Sequence, residues 1–349
     1  MKKTVEVLGL IREKGKEIAG PTLICKLQHF DFLLSPIKGH NEENFEFMTT
    51  SDNRSKFRKF MSPKGGFRAC FVDATAAVEK MQSLQNSYPL ASMAVGRAMI
   101  GAGLMAIMLD DEEGRLSVHF QGDGPLGTVF AESNHQGHLR GFCTHPQLQM
   151  PYVSGKPLNV SKAIGNGTLA VVRTSKKFAE PQQGMVQIQS GEVAQDLAFF
   201  LTASFQIPSA LVLGVSVNEY GKVTGAGGIH IEMLPDAEED SIAQIEKNIK
   251  NAPSISEYLE SGGDVQQLLN IFFDGFPDIK ELEMEAEAEF RCQCNRQRFE
   301  TSLQLFPLDE LKEMQTSGET IDAQCEFCGK RYKIQPEAIG RVIRLKTDQ

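Results

Sequence analysis

Four of the seven cysteines lie within 37 residues near the C-terminal end, and this cluster constrains the fold more than any other feature. One residue separates Cys292 from Cys294, thirty residues follow, and two residues separate Cys325 from Cys328. Two close pairs of thiols can converge on a single tetrahedral Zn²⁺, each pair on its own tight turn. The spacing therefore predicts one zinc ion per chain, bound by these four side chains in a small C-terminal domain. Because structural zinc contributes roughly 10–16 kcal/mol of apparent binding energy, it would decide whether that domain folds.

An inert structural zinc ribbon is the simplest interpretation of such a cluster, but two features of the sequence favour a redox-active site. Ribbons usually carry two residues between paired cysteines, whereas Cys292 and Cys294 have one between them, and a disulfide across one residue closes a small, strained ring. Strained disulfides are the labile and regulatory ones. The cluster also follows a long acidic segment with few core-forming residues, which could respond to its state.

The composition is that of an ordinary globular chain of two or three domains: 349 residues, 41% apolar and 23% charged. A net charge of −9 argues against a general binder of nucleic acid or anionic membranes, because both partners favour basic surfaces. The longest uncharged apolar run, Ala98 to Leu109, has twelve residues, whereas a membrane span needs about twenty, so it predicts a buried helix. No secretory signal is recognisable and the cysteine count is odd, so we expect a cytoplasmic protein without a disulfide framework.

The order of the elements predicts an α+β fold in four parts. Residues 1–55 form an N-terminal extension without a motif, residues 56–234 a mixed α/β core domain, residues 235–289 an acidic linker, and residues 290–349 the cysteine domain. Runs of strands followed by helices favour this class over a regular βαβ series. Within the core domain, hydrophobic periodicity predicts elements that include a strand at Phe67–Asp73 and helices at Leu90–Leu109 and Val193–Phe205.

The linker has the most unusual charge of the four parts. It contains fifteen acidic residues and three lysines, a net charge of −12. Proline and glycine interrupt its short helical patches, which predicts partial helix and marginal stability. Leu268, Leu269 and Phe272 are candidates for docking it on the core domain. Acidic and apolar residues alternate over Glu281–Phe290, which predicts one strand with a charged face.

Other residues with the appearance of a site have plainer interpretations. Gly122-Asp-Gly-Pro-Leu-Gly127 matches the G-x-G-x-x-G dinucleotide fingerprint, but its internal proline and the β-rich stretch after it predict a hairpin turn. His135 and His138 flank a glycine in a polar turn, where a solvated loop is favoured over a metal pair. Cys70 and Cys143 lie in apolar, strand-like stretches and are expected to be buried and inert.

Several motifs between Lys56 and Gln349 occur together in one known family. They are Gln121-Gly-Asp-Gly-Pro125, Gly165-Asn-Gly167, Ala226-Gly-Gly228 with Leu234-Pro235, Phe290-Arg-Cys-Gln-Cys294, and Ile321-Asp-Ala-Gln-Cys-Glu-Phe-Cys-Gly329. The chain resembles the thirty-three-kilodalton heat-shock chaperone family, a redox-regulated holdase family. The two cysteine pairs after an acidic linker carry the resemblance, and the glycine motifs add weaker support. Residues 1–55 match no element of the family.

The resemblance implies a redox-regulated, ATP-independent holdase chaperone rather than an enzyme. Reduced protein would bind zinc through the four cysteines and be inactive. Under oxidative stress, hypochlorous acid, or peroxide with heat, would form the disulfides Cys292–Cys294 and Cys325–Cys328. Zinc would leave, the linker would unfold and apolar surface would be exposed. The oxidised protein, as a homodimer, would protect unfolding or oxidatively damaged clients from aggregation and pass them to ATP-driven foldases. No nucleic acid or membrane partner is expected.

Two other functions stay open on the residues alone. A thiol–disulfide oxidoreductase could use Cys325-Glu-Phe-Cys328, although no thioredoxin-like βαβ context surrounds this pair and zinc would mask both thiols. A zinc ribbon that binds nucleic acid is disfavoured by the acidic linker and the negative net charge. Turnover of a disulfide substrate would indicate the first function, and salt-sensitive binding to RNA or DNA the second.

Overall fold

The computed structural model describes residues 55–109, 111–150, 158–177 and 179–347. Within this part of the chain there are two units, residues 55–291 and residues 292–347. Both units combine helices with strands, and the α+β class is thereby confirmed. The predicted N-terminal extension lies outside the described residues except for Ser55.

The first unit contains eleven of the strands and seven of the helices in the described residues. In chain order they are β1 (Arg58–Ser62), β2 (Phe67–Asp73), α1 (Thr75–Gln85), α2 (Pro89–Met108), β3 (Arg115–Gly122), β4 (Thr128–Asn134), β5 (His138–Cys143), α3 (Val160–Ile164), β6 (Gly167–Thr174), β7 (Gln182–Gln187), α4 (Val193–Phe205), β8 (Ser209–Val217), β9 (Val223–Met233), α5 (Glu239–Asn251), α6 (Ile255–Glu260), α7 (Val265–Phe272), β10 (Lys280–Leu282) and β11 (Glu289–Phe290).

These strands form two sheets. The first has the order β10-β1-β2-β9-β8 and is antiparallel throughout. The second has the order β11-β5-β4-β3-β6-β7, and its pairs are antiparallel except for β11 with β5. Residues 123–127 connect β3 to β4, so the predicted hairpin turn is confirmed and the dinucleotide fingerprint is not formed.

Helix α2 packs against strands of both sheets and forms the centre of the larger core. It is the one described helix long and apolar enough to cross a membrane, but 89% of its most apolar window is buried inside the protein. A helix that is apolar all round belongs in a core, so the predicted buried helix is confirmed. Glycine permits the close approach: a Cβ on Gly101 would lie 2.4 Å from Leu197 Cδ1, and one on Gly103 would lie 2.8 Å from Leu139 Cδ2.

The acidic linker segment forms a helical layer on the opposite face of the five-stranded sheet. A second core lies between this layer and the sheet. Alternation along the strands explains the division: Phe67, Ala69 and Phe71 of β2 face the second core, whereas Cys70 and Val72 face the first.

The prediction of a single strand over Glu281–Phe290 is wrong. Its two ends pair in different sheets, β10 with β1 and β11 with β5. Between them the chain crosses from one sheet to the other and makes only an isolated bridge, Lys56 with Glu287. The alternating pattern arises because Ala286 and Ala288 enter the first core while their acidic neighbours stay outside it.

The second unit is small and has little core of its own. Its elements are α8 (Arg296–Ser302), a 3₁₀ turn (Leu303–Leu305), α9 (Leu308–Ser317), β12 (Ile321–Gln324), β13 (Arg331–Ile334) and α10 (Pro336–Thr347). Strands β12 and β13 form an antiparallel hairpin. The buried side chains of its core are Leu303, Leu311, Ile334, Ala338, Ile339 and Val342.

Burial of His230 on β9 predicts a pH-dependent stability. The imidazole is fully buried, and neither ring nitrogen has a hydrogen-bond partner. Burial lowers the pKa of His230 to about 4; Glu232, 3.5 Å away, opposes the shift, and Arg68 adds to it. An unfolded histidine has a pKa of about 6.5 and binds its proton first, so stability is complete above that pH and falls as the pH drops towards 4.

We expect His230 to reduce the free energy of unfolding by about 2 kcal/mol between pH 7 and pH 5. Urea titrations of the wild-type protein and His230→Leu at both pH values measure this contribution as a difference, in which the other titrating groups cancel. Equal losses of stability in the two proteins would show that His230 is not responsible.

Candidate metal centre and linker contact

The hairpin of the second unit positions the C-terminal pair of cysteines. Cys325 and Cys328 lie in the turn between β12 and β13. The amide of Cys325 donates to the carbonyl of Lys330 at 2.9 Å, and the amide of Gly329 donates to the carbonyl of Cys325 at 2.7 Å. Gly329 has a φ of +70°, a left-handed conformation that glycine adopts without strain. These bonds hold both thiols on one tight turn.

The other pair precedes helix α8. Cys292 and Cys294 are followed by Asn295, whose side chain accepts a hydrogen bond from the amide of Arg298 at 2.8 Å. Asparagine is a preferred N-cap because this bond satisfies an amide that has no partner within the helix. The cap fixes where the helix begins and thereby the direction of the cysteine segment.

The structure brings all four predicted ligands together. Their sulfur atoms lie within 4.8 Å of one another. Cys292 is 3.7 Å from Cys325, and Cys294 is 3.4 Å from Cys328. A tetrahedral site with Zn–S bonds of about 2.3 Å has sulfur atoms about 3.8 Å apart. The four thiols could therefore hold one metal ion, and their number, softness and spacing are compatible with zinc.

The thiols influence one another's ionisation. Hydrogen bonds from Cys292, and then from Cys325, lower the pKa of Cys294 well below its usual range. Cys292, mainly through Cys294, has its pKa raised to about 11, and Cys325, mainly through Cys292, has its pKa raised further. One thiolate thus forms readily and its neighbours resist a second charge. A bound cation removes that resistance, which is a second reason why the cluster suits a metal.

The remaining candidate residues lie elsewhere. Cys70 and Cys143 are buried, and burial raises the pKa of Cys143 to about 12, so its thiolate is suppressed. His138 accepts a hydrogen bond from Arg291 at 2.9 Å and is not grouped with His135 at any metal site in the described residues. Cys25, which the sequence left unassigned, lies outside the described residues.

The three predicted docking residues of the linker are buried between helix α7 and the five-stranded sheet. Leu268, Leu269 and Phe272 have 0%, 1% and 0% of their surface exposed. Asn248 on α5 donates its side-chain amide to the carbonyls of Phe272, at 3.0 Å, and Asp274, at 2.8 Å, and so ties α5 to the end of α7.

Sequence reasoning missed part of this contact. Phe273 lies 5.1 Å from Phe60, and Phe276 lies 4.8 Å from Phe67 with an edge-to-face geometry, both measured between ring centroids. The signal was visible: these rings follow α7 directly and add to an apolar stretch. An ion pair at 2.5 Å between Arg58 and Glu281 lies at the partly exposed margin. The acidic linker is thus held mainly by apolar burial.

Comparison with known proteins identifies the family. The family model described as Hsp33 protein matches residues 55–335. The 33 kDa chaperonin of Limosilactobacillus fermentum is 34% identical over 289 residues, which cover 82% of this chain and 98% of that protein. The 33 kDa chaperonin of Thermoanaerobacter sp. (strain X514) is 31% identical over 275 residues, with coverage of 79% and 93%.

A solved structure agrees with these matches. The crystal structure of the 33 kDa chaperonin (heat shock protein 33 homolog) of Thermotoga maritima has a TM-score of 0.73 and 30% sequence identity, and the match covers 84% of this chain and 100% of that one. The resemblance found in the motifs is confirmed, and it supports a chaperone function. The chain belongs to the Hsp33 family of chaperones.

Proposed function

We propose that this protein is an ATP-independent holdase whose activity is controlled by the oxidation state of the cysteine cluster. One observation carries the proposal: the four clustered thiols begin two residues after β11, which ends a linker whose apolar side chains are buried on a sheet. In the reduced state Cys292, Cys294, Cys325 and Cys328 hold zinc, the linker stays docked and the protein is inactive.

Zinc, when bound by these four residues, would offset part of the thiolate charge and cross-link the two cysteine segments. Within residues 292–347 the apolar core has six buried side chains, so loss of that cross-link leaves it marginal. The chain just before the cluster is bonded to the first unit, because the amide of Arg291 donates to the carbonyl of Leu139 at 3.0 Å. Disorder that begins at Cys292 therefore reaches β11, at the end of the linker segment, directly.

Two opposed contributions determine whether the linker stays docked: apolar burial favours docking, and charge repulsion favours release. Its apolar side chains stabilise docking by roughly 1.5–3 kcal/mol each before the loss of entropy is counted. The fifteen acidic residues outnumber the three lysines, so the acidic side chains repel one another in the docked layer, and an extended chain relieves that repulsion. Docking is thus a balance of opposed contributions, as expected for an element that switches. Once released, the linker and the sheet face beneath it expose apolar surface for clients.

The partners follow from this activity. They are unfolding or oxidatively damaged proteins, which the oxidised homodimer keeps from aggregating during oxidative stress and passes to ATP-driven foldases. The protein works without catalytic turnover and in the cytoplasm, where a cluster of free thiols is maintained until an oxidant arrives. Neither nucleic acid nor a membrane is a partner.

An aggregation assay tests the proposed function. A client is unfolded by heat, light scattering is followed with reduced or oxidised protein, and zinc release is recorded with a chromophoric chelator. We expect suppression of aggregation without ATP by the oxidised, zinc-free protein only. Equal suppression by both forms, or by neither, would contradict the proposal.

We expect oxidation to yield the disulfides Cys292–Cys294 and Cys325–Cys328. Pairs close in sequence remain close after zinc leaves, whereas the two segments separate, and short loops close at the lowest entropic cost. Peptide mapping after mild peroxide treatment measures the linkages. In the folded cluster the sulfur of Cys292 lies 3.7 Å from that of Cys325, and the sulfur of Cys294 lies 3.4 Å from that of Cys328. If Cys292–Cys325 and Cys294–Cys328 were the main products, oxidation would occur before the two cysteine segments separate, and the proposed pairing would be wrong.

A further inference from the structure

A tyrosine hydroxyl contacts one of the four cysteines. Tyr332, on β13, donates to the carbonyl of Cys294 at 2.9 Å, and the same oxygen is 3.2 Å from Cys294 Sγ. Among the hydrogen bonds of residues 292–347, Cys294 is the one thiol of the cluster with a hydroxyl partner. No feature of the sequence pointed to Tyr332, because the contact depends on the fold of the hairpin.

The ring of Tyr332 is fixed independently of its hydroxyl. Phe299 on α8 packs against it, with 5.0 Å between ring centroids, and the Lys330 ammonium lies 5.7 Å from the ring centroid. Strand β13 also places Tyr332 opposite Ala323 of β12. The phenol is therefore held at the sulfur by packing, and removal of the oxygen alone would leave the ring in place.

The hydroxyl has one proton and two acceptors, the carbonyl oxygen and the sulfur. A hydrogen bond to an ionised acceptor is stronger than one to a neutral acceptor, so a Cys294 thiolate competes well for that proton. A thiolate that accepts a hydrogen bond shares its charge and attacks an oxidant more slowly. The contact therefore affects reactivity as well as position.

We propose that Tyr332 is a positioning residue that holds Cys294 and slows its oxidation by peroxide. The inference rests on the proposed redox switch. In the step concerned, the Cys294 thiolate attacks hydrogen peroxide: an S–O bond forms, the O–O bond breaks, and hydroxide leaves with the two electrons lost by sulfur. The Cys292 thiolate then displaces hydroxide from the resulting sulfenic acid and closes the disulfide. Tyr332 acts on the first attack.

Tyr332→Phe in the full-length, reduced, zinc-loaded protein tests this role. The matched control is Tyr220→Phe, which removes a hydroxyl from a tyrosine 80% exposed in the turn between β8 and β9. Limiting peroxide is added, and timed alkylation with mass spectrometry follows each cysteine. Zinc affinity is measured separately by competition with a chelator in the absence of oxidant.

We expect Cys292 and Cys294 to be oxidised about threefold to tenfold faster in Tyr332→Phe. The early oxidation rates of Cys325 and Cys328 should stay within about twofold of wild type. A structural change that was not confined to Cys294 would accelerate the oxidation of these two cysteines as well. Zinc affinity should be unchanged or higher, because a thiolate that shares no charge with a hydrogen-bond donor keeps that charge for the metal. Tyr220→Phe should match the wild type in every measurement.

A merely structural role predicts the opposite pattern. Faster oxidation of all four cysteines together with weaker zinc binding, or failure of the variant to retain zinc, would place Tyr332 in folding and overturn the proposal. Unchanged rates at Cys292 and Cys294 would also overturn it. None of these measurements uses a client, so a wild-type protein that fails to suppress aggregation when oxidised would refute the holdase function and leave this result to stand or fall separately.

Discussion

Replacement of Leu269 and Phe272 together by glutamine is expected to give a protein that suppresses client aggregation while it is still reduced and zinc-loaded. Both side chains are almost fully buried between α7 and the sheet. Truncation of a buried leucine costs about 2–5 kcal/mol and of a buried phenylalanine about 3–5 kcal/mol, and buried amides without partners add to the cost. The combined loss exceeds about 5 kcal/mol, which shifts the docking equilibrium by more than about three powers of ten.

The same aggregation assay, with zinc content and hydrogen exchange of α7 measured on each sample, checks this result. Gln267→Ser is the matched control, because Gln267 is exposed on the same helix and its change should leave α7 protected and the reduced protein inactive. Leu269→Ala provides a milder second variant, with partial activity in the reduced state. A double variant whose linker exchanges freely but which does not hold clients would show that linker release is not the switch.

Replacement of all four clustered cysteines by serine is expected to abolish zinc binding and to unfold the second unit. Zinc should fall from one ion per chain to almost none, because serine hydroxyls do not replace thiolates as ligands. Burial of six apolar side chains cannot by itself offset the conformational entropy that 56 residues lose on folding. The roughly 10–16 kcal/mol of metal binding is therefore needed to keep the second unit folded. Hydrogen exchange should then be fast throughout residues 292–347.

Metal analysis of purified protein, combined with that exchange measurement, decides the outcome. Cys70→Ala and Cys143→Ala are the controls, since both thiols are buried in the first unit and neither belongs to the cluster. Both controls should keep one zinc ion per chain. Stoichiometric zinc in the quadruple variant would refute the assignment of the site.

The sequence predicted best those helices and strands whose apolar residues recur with a single helical or strand periodicity. Val193–Phe205 was predicted with the bounds of α4, because its apolar residues recur at helical spacing and turn residues flank it. Strand β5 was not specified, because its pattern contains a charge. Arg140 on β5 is buried and pairs with Glu132 of β4 at 2.7 Å, so a residue that looks solvated lies inside.

Contacts between distant segments were harder to predict than the elements themselves. The cysteine spacing pointed to the metal centre because few chemistries need two close pairs of thiols. Tyr332 escaped notice, since nothing in a sequence shows which aromatic side chain will reach a thiol after a hairpin has folded. The Glu281–Phe290 segment failed for a related reason: an alternating pattern fixes which side chains are buried, but not which strand they pair with.

The central claim is that oxidation of the cysteine cluster releases the linker, and hydrogen exchange during oxidation tests it most directly. Peroxide is added to the reduced, zinc-loaded protein, and amide protection of α7 and of strand β9, zinc release and suppression of aggregation are followed in the same samples. The account predicts that α7 loses protection in step with zinc release and the gain of activity, while β9 stays protected. Activity that rises while α7 remains protected would contradict it.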